Sequence, residues 1–363
     1  MRTQYLTITT IAAVLLGLLS TGCSKPTSGE VTVRYGITPY QDSALPVVPE
    51  ALGWYKENGI DFKPIPVSWG DVPAAMSAGA IDVAIYNFNS FQPSYENAAK
   101  GGSKPVFYCP LLMFKGQAIM VKSNSGLQVL EDLPRENKQA RDNRTAKVAQ
   151  QLKGKRIAIT KGTELEQIVL AALKKGGLTE NDVTLIHASP EDSLASFLAG
   201  NVDAFAAGLT ERVEARRHGG VELLVTSDVM LPAINGLMTT EAFALKHPEI
   251  LDKLAMLWFR NIRFMEEDLK KNCSHILAYL AKAASTRYSP DEYVIAWTFD
   301  VLPRDAKAAH HLFNDSSSPS YWRAAWDANN EYLLQQGKIK SPVPYSAYWG
   351  ETNLLRLSTQ ASK

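Results

Sequence analysis

The 363-residue sequence contains few cysteines and almost no net charge, and both absences restrict what the protein does. Its three cysteines, Cys23, Cys109 and Cys273, lie far apart, so they form no cluster for metal binding or catalysis. The histidines show no metal-ligand spacing, and no nucleophile elbow, phosphate-binding loop or zinc motif is present. A formal net charge of +1 provides no strongly basic surface for nucleic acid. We therefore expect no catalytic residues, no metal ligands and no cofactor.

Long apolar runs are also lacking, apart from one near the amino terminus. Residues 8–19 follow a single charge at Arg2 and are too few to span a bilayer comfortably, as in a signal peptide. The run leads to Ser20-Thr21-Gly22-Cys23, which resembles a bacterial lipobox except that Ser20 stands where Leu is commonest. We predict a lipoprotein signal peptide at 1–23, lipidation of Cys23 and a flexible tether at 24–30. An ordinary signal peptide with an incidental cysteine is the alternative.

One sequence pattern occurs twice in the chain. Residues 68–82 and 189–203 align without a gap and share a Ser, an Asp, an Ala, an Ala-Gly pair and a final aliphatic-Asp pair. In each copy, Ser or Asp is suited to cap a short helix, Gly to end it, and the aliphatic-Asp pair to open a strand. The segments before both copies alternate strand and helix in the same order, which predicts two α/β lobes of similar plan. Chance similarity is the alternative for the repeat alone.

The predicted fold is α/β, with two lobes that are each a mostly parallel sheet flanked by helices, and a helical C-terminal region. The predicted strands are 31–36, 60–67, 81–86 and 105–109 in lobe 1, and 156–160, 183–188, 202–207 and 222–226 in lobe 2. Extended segments at 116–122 and 233–239 are the expected crossovers, so lobe 1 comprises 31–117 and 232–363, and lobe 2 comprises 118–231. The charged segment 124–151 is expected to be a solvated helical insertion. Near the C-terminus, Tyr321, Trp322, Trp326 and Tyr332 are expected in the core.

Polar and aromatic side chains follow several predicted strands, where open α/β sheets bind ligands. Thr163 is suited to cap a helix that begins at Glu164, and such a helix start attracts anions. Glu211 is suited either to a ligand amine or to a solvated first helical turn. The candidate ligand-binding residues are Tyr40, Gln41, Asp42, Ser68, Trp69, Gly70, Asp71, Asn87, Asn89, Ser90, Gly162, Thr163, Glu164 and Thr210. Helix capping, turn formation and packing at the lobe surface are the alternative roles for these side chains.

Several segments resemble the sulfonate/taurine/nitrate-type substrate-binding proteins of ABC importers, a type II periplasmic-binding-protein-like family. The segments are the lipobox-like start, 52–60, 78–83, 152–158 and 247–249, and the resemblance extends from about Val31 to about Gly337. It implies a type II periplasmic-binding-protein fold whose ligand contacts loops 40–42, 68–71, 87–90, 162–164 and 208–210. Two departures are the long 124–151 insertion and a loop at 87–91 without the Gly that many members carry.

The resemblance implies a solute-binding lipoprotein and not an enzyme. We expect it to be exported, anchored by lipid to the bacterial membrane in the periplasm or at the cell surface, monomeric, and a partner of ABC permease subunits. The expected ligand is a small organic anion or zwitterion, such as a taurine-like sulfonate, with Trp69 and Tyr40 enclosing its apolar part. An acidic side chain facing the cleft would favour a ligand amine. The alternatives are a thiamine pyrimidine precursor or other aromatic solute, and an enzyme of this fold resembling a pyrimidine-precursor synthase.

Overall fold

A computed structural model describes residues 29–130, 138–161, 163–231, 233–283, 287–318 and 320–360. Within these ranges the strands are β1 Val31–Ile37, β2 Ile60–Pro66, β3 Val83–Asn87, β4 Pro105–Phe114, β5 Ala118–Lys122, β6 Arg156–Ile159, β7 Thr184–His187, β8 Ala204–Ala207, β9 Gly220–Val225, β10 Ala233–Thr240 and β11 Asp300–Val301. The α-helices are α1 Val47–Ala51, α2 Trp54–Glu57, α3 Val72–Ser77, α4 Phe88–Lys100, α5 Lys138–Gln150, α6 Glu164–Lys175, α7 Pro190–Leu198, α8 Leu209–Arg217, α9 Thr226–Val229, α10 Glu241–Lys246, α11 Pro248–Glu267, α12 Leu269–Asn272, α13 Ser274–Ala283, α14 Pro290–Trp297, α15 Ala306–Asn314, α16 Trp322–Gln335 and α17 Gly350–Gln360. Short 3₁₀ turns span Trp69–Asp71, Glu180–Asp182 and Tyr345–Ala347.

Two sheets organise these elements, as the strand–helix alternation predicts. The first sheet has the order β11-β4-β10-β3-β1-β2, and the second has the order β7-β6-β8-β5-β9. The neighbours β2-β1-β3 and β7-β6-β8 are parallel, which is the arrangement of βαβ units. The remaining pairs are antiparallel, so the sheets are more mixed than the predicted mostly parallel plan. The difference arises because β5 and β10 enter their sheets from the end where the parallel strands finish.

The two copies of the repeated stretch form the same local structure. In the first copy α3 follows the 3₁₀ turn, and in the second Ser189 caps α7 by accepting a hydrogen bond from the Asp192 N–H at 3.1 Å. The final Asp of each copy binds an Arg in the strand beside it: the Arg34 backbone N–H donates to Asp82 and that of Arg156 to Asp203, both at 2.8 Å. Each guanidinium forms an ion pair with the same Asp. The sequence repeat therefore corresponds to a repeated helix–strand junction with its own ion pair.

The described part of the charged insertion contains one helix, α5, which is not fully solvated. Its helix α5 ends with Val148 and Ala149 buried in the core of the second sheet, against residues of α6. Nearer its start, Arg141 forms an ion pair with Asp228 at 2.6 Å. The prediction of a solvated helix is therefore wrong for the last turn of α5, because this turn covers apolar surface of the second sheet.

The C-terminal helices pack against the first sheet and extend its core. Phe259, Ile262 and Met265 of α11 are fully buried there, as the amphipathic pattern predicts. Trp322 and Trp326 of α16 are also buried, and the Trp326 ring packs edge-on against Phe88 at 4.9 Å. These aromatic residues are therefore core, whereas Tyr321 and Tyr332 are only partly buried.

The structure describes two of the three cysteines, and it also bears on whether a helix could cross a membrane. Cys109 and Cys273 are both buried and both free, so they do not form the disulfide that an exported pair permits. Across the described ranges, no helix has both the length and the apolarity that a bilayer crossing requires. The predicted signal peptide at 1–23 with Cys23, and most of the tether at 24–30, lie outside those ranges.

Candidate functional site

A cleft of about 1020 Å³ lies between the two sheets, at the ends where the parallel strands finish. Loops and helix starts from both sheets line it. Ten of the predicted site residues lie in its wall: Tyr40, Gln41, Asp42, Ser68, Trp69, Gly70, Asn87, Thr163, Glu164 and Thr210. The volume is sufficient for a small organic solute and its bound water.

The remaining predicted residues lie elsewhere. Asp71 is exposed and accepts a hydrogen bond from Ser68 at the start of α3. Asn89 donates to Gln167 of α6 at 2.7 Å, so its amide joins the two halves of the protein without lining the cleft. Ser90 lies behind the cleft wall, where it binds Trp69 and Glu164. Gly162 lies outside the described residues.

Most of the expected loop at 87–91 forms the start of α4, which begins at Phe88. Asn87 caps this helix by accepting a hydrogen bond from the Ser90 N–H at 2.9 Å. The Asn87 amide and the Ser90 hydroxyl both donate to Glu164 Oε1, at 2.6 and 3.0 Å. Glu164 is itself the first residue of α6, whose cap is Thr163. One carboxylate therefore lies at two helix starts, where helix dipoles and hydroxyl and amide donors stabilise negative charge.

An aromatic wall forms one side of the cleft. The Trp69 ring packs edge-on against Tyr40 at 5.9 Å and lies over the buried Tyr86 at 4.7 Å. Its indole N–H donates to Ser90 Oγ at 2.9 Å, which holds the ring in place. Tyr86 was not among the predicted site residues, because an aromatic residue within a strand is typical of the hydrophobic core.

Acidic side chains predominate among the charged residues of the cleft wall. Within the described part of the chain, the wall contains the carboxylates Asp42, Glu164, Glu191, Glu211 and Glu214 and the guanidiniums Arg217 and Arg287. Arg217 forms ion pairs with Glu214 and Glu292, both at 2.6 Å. Partial burial raises the pKa of the Tyr40 hydroxyl, and the charges of Glu211, Glu164 and Glu191 raise it further. The negative charge of the cleft wall therefore acts on the Tyr40 hydroxyl.

Sequence reasoning missed Glu191, although a signal for it was present. In the repeat, Pro190 and Glu191 occupy the positions of Trp69 and Gly70, and all four residues line the cleft. The site of the first copy therefore predicts the site of the second. Gln117, Glu214, Arg217, Arg287 and Asn235 were also missed, and no local motif marks them.

Asp42 is the most deeply buried acid of the cleft wall, at 4% exposure. It accepts hydrogen bonds from the Ser43 N–H at 2.7 Å and the Asn235 amide at 2.8 Å. Burial nevertheless raises the pKa of Asp42, since these neutral donors offset only part of the desolvation of its charge. The Asn235 Oδ1 atom, also buried, has no hydrogen-bond partner within the described residues.

Asp42→Asn is expected to stabilise the protein at neutral pH. A raised folded-state pKa means that Asp42 contributes stability below its unfolded pKa of about 3.9, and that this contribution is lost as pH rises through the folded value. Asn does not titrate, and turning over the Asn235 amide lets it keep both hydrogen bonds. The change also removes a charge that raises the pKa of the partly buried Asp300.

Calorimetric melting temperatures of Asp42→Asn and wild type, measured between pH 4 and pH 8, check this expectation. The advantage of the variant should shrink as the pH falls towards 4. Asp71→Asn, at an exposed acid outside the cleft wall, is the matched control. An advantage for Asp42→Asn that does not change with pH would contradict the assigned cause.

Among the described residues, no three or more His, Cys, Asp or Glu side chains are grouped as metal ligands. The cleft combines acidic groups, aromatic faces and amide dipoles contributed from both sheets. This combination is suited to holding an organic solute through hydrogen bonds and ring contacts.

Comparison with known proteins agrees with this geometry. The family model described as the NMT1-like family matches residues 27–281. A putative aliphatic sulfonates-binding protein of Escherichia coli is 28% identical over 164 residues, which are 44% of each chain, so this chain spans less than half the length of that relative. Riboflavin-binding protein RibY of Chloroflexus aurantiacus is 24% identical over 91% of this chain and 93% of its own.

The fold also has a solved counterpart. The periplasmic aliphatic sulphonate binding protein SsuA of Escherichia coli superposes with a TM-score of 0.66 at 16% identity, covering 89% of this chain and 99% of that chain. This likeness confirms the predicted periplasmic-binding-protein fold, with two sheets and a helical C-terminal region. By the match to its family model, the chain belongs to the NMT1-like family.

Proposed function

We propose that this protein is an exported solute-binding lipoprotein that captures a small solute and delivers it to the permease subunits of an ABC importer. The main support for the proposal is the cleft of about 1020 Å³, which is lined by residues next to both sheets. Relatives named as binding proteins support it. The protein acts without turnover, as a monomer and without nucleic acid.

In this proposal, lobe 1 comprises residues 31–117 and 232–363, and lobe 2 comprises residues 118–231. The chain crosses between the sheets from β4 to β5 and from β9 to β10, and these crossovers act as the hinge. A solute that contacts both lobes favours the closed arrangement, since only there does it gain both sets of contacts. The contacts of Glu164 with Asn87 and of Asn89 with Gln167 already join the lobes across the cleft.

The proposed solute is a small organic anion or zwitterion of the sulfonate/taurine type. The relative named as an aliphatic sulfonates-binding protein supports this choice. An aromatic solute such as a thiamine pyrimidine precursor is the second candidate. The aromatic wall of Tyr40 and Trp69 favours it, because a planar ring gains contact area and a protonated ring gains cation–π attraction there.

A thermal-shift screen of sulfonates, nitrate, aromatic acids and thiamine precursors tests the proposal. A solute at 100 times its dissociation constant adds roughly 2.7 kcal/mol to the free energy of unfolding, which is readily measured. We expect at least one zwitterionic or aromatic solute to raise the melting temperature and to be recovered unchanged. Chemical conversion of the bound solute would instead favour the enzyme alternative.

Cys23→Ala is expected to release the protein from membranes. Lipid chains on Cys23 hold it there, since each buried CH₂ contributes about 0.8 kcal/mol. Fractionation of cells that express either form measures the change, with Ser24→Ala as the control that keeps the acceptor thiol. Intact mass of the membrane-bound wild type should show lipid on residue 23. An unmodified amino terminus in that species would contradict the anchor.

A further inference from the structure

We propose that the cleft selects solutes that carry a protonated amine or another cationic nitrogen, and that it binds simple anions weakly. This inference deepens the proposed function and rests on it. It narrows the expected sulfonates to those with an amine, and it includes cationic aromatic solutes. Three separate features of the cleft support it.

The first feature is the charge balance of the cleft wall. Five carboxylates face two guanidiniums among its described residues. Arg217 is already bound to Glu214 and Glu292, and it also donates to the Arg287 carbonyl at 3.0 Å. Arg287 itself is exposed. Among the described residues of the wall, no buried cation balances the negative charge of the inner cleft, and such a field repels an anionic solute.

The second feature is that the predicted anion site is already filled. The sequence places an anion at the start of α6, and the structure offers a matching set of donors at the start of α4. Glu164 is the first residue of α6, and its carboxylate takes up the donors at the start of α4 by accepting the hydrogen bonds of Asn87 and Ser90. A sulfonate or carboxylate at this position would have to displace a carboxylate of the chain. The Asn87 and Ser90 donors are therefore already hydrogen-bonded to the protein's own carboxylate and are not free to bind an anionic solute.

The third feature is a pair of buried groups among the described side chains: a carboxylate without a cationic partner and an amide oxygen without a hydrogen-bond donor. Glu211 is 9% exposed, and within the described residues it has no cationic partner. Asn235 of the cleft wall is 2% exposed, and its amide nitrogen donates to Asp42, while its buried amide oxygen has no donor within the described residues. A buried acceptor without a donor costs free energy that a ligand N–H recovers. Asn235 therefore favours a ligand that donates a hydrogen bond, and Glu211 favours a ligand that carries positive charge.

The aromatic residues complete a site for a cation. Tyr40 lines the same cleft as Glu164, Glu191 and Glu211, and its ring packs edge-on against Trp69 at 5.9 Å. A cationic nitrogen between these groups gains attraction from the carboxylates and from the ring faces. A neutral or anionic group of the same size gains neither. The expected order of affinity is therefore set by the nitrogen and not by the sulfonate.

Matched solutes test this inference on the wild-type protein. Taurine is compared with ethanesulfonate, and benzylamine with benzyl alcohol, by calorimetric titration at one pH and ionic strength. In each pair that binds, we expect the amine to bind at least 10-fold more tightly. An amine-free member that binds as tightly as its partner would overturn the charge preference and leave the capture function standing. If neither pair, nor any compound of the thermal-shift screen, binds, the capture function fails together with the preference.

Charge-neutralising variants provide the second arm. Glu191→Gln and Glu211→Gln keep side-chain size, and each is expected to reduce the amine preference about 10-fold. Asp192→Asn, one position from Glu191 and outside the cleft wall, is the matched control and should leave the preference unchanged. Melting curves confirm that each variant is folded. An unchanged preference in folded Glu191→Gln and Glu211→Gln would assign the selectivity elsewhere and overturn the proposed site.

Discussion

Trp69→Ala is expected to weaken solute binding about 30-fold or more, while the protein stays folded. The ring forms the apolar wall of the cleft, and truncating a tryptophan of this kind typically costs about 2 kcal/mol or more of binding free energy, which corresponds to about 30-fold. Trp69 is only partly buried, and the hydrogen bond from Ser90 to Glu164 does not depend on it. The loss should therefore appear in affinity and not in folding.

Calorimetric titration of wild type, Trp69→Ala and Trp69→Phe with the best solute of the screen measures this effect. Trp69→Phe keeps an aromatic face but loses the indole N–H that binds Ser90, so its loss should be smaller. Tyr345→Ala, at an aromatic residue that is 44% exposed and outside the cleft, is the control. Equal affinities for wild type and Trp69→Ala would show that the aromatic wall does not contact the solute.

Trp326→Ala is expected to lower the free energy of unfolding by about 3–5 kcal/mol, the range for a buried large aromatic. Trp326 is fully buried in the core of the first sheet, and its indole N–H donates to the Val343 carbonyl at 2.9 Å. Its ring packs against Phe88, whose helix presents Asn87 and Ser90 to Glu164. The cavity left by the Trp326→Ala truncation is therefore also expected to weaken the packing that positions Asn87 and Ser90 beside the cleft.

Urea unfolding of both proteins measures the change. Leu334→Ala, at a partly exposed position of the same helix, is the control for helix propensity and should cost far less. If Trp326→Ala lowers the free energy of unfolding by less than about 1 kcal/mol, the neighbouring core side chains must repack into the cavity, and the predicted cost is wrong.

The fold was largely predictable because its signals are local. The repeat at 68–82 and 189–203 and the strand–helix alternation depend on capping and periodicity over a few residues, and these patterns hold in the structure. The pairing direction of β5 and β10 was less predictable, since it depends on the route of the chain between sheets. No local pattern encodes that route.

The site was predictable at the level of loops but not of every side chain. Asn87 ends β3 and lines the cleft, whereas Asn89 lies in the first turn of α4 and donates to Gln167. The contact between Asn87 and Glu164 joins residues 77 positions apart, and no spacing rule reveals it. It changes the interpretation of Glu164 from a ligand-binding group at an anion site to the anion that fills it.

Hydrogen–deuterium exchange with and without the bound solute tests the central claim most directly, because it reports on both lobes at once. The claim predicts that saturating solute protects the backbone around Tyr40, Trp69, Thr163 and Thr210 together, since these residues line one cleft from both sides. Protection confined to one lobe, or to segments outside the cleft, would contradict capture of the solute between the lobes.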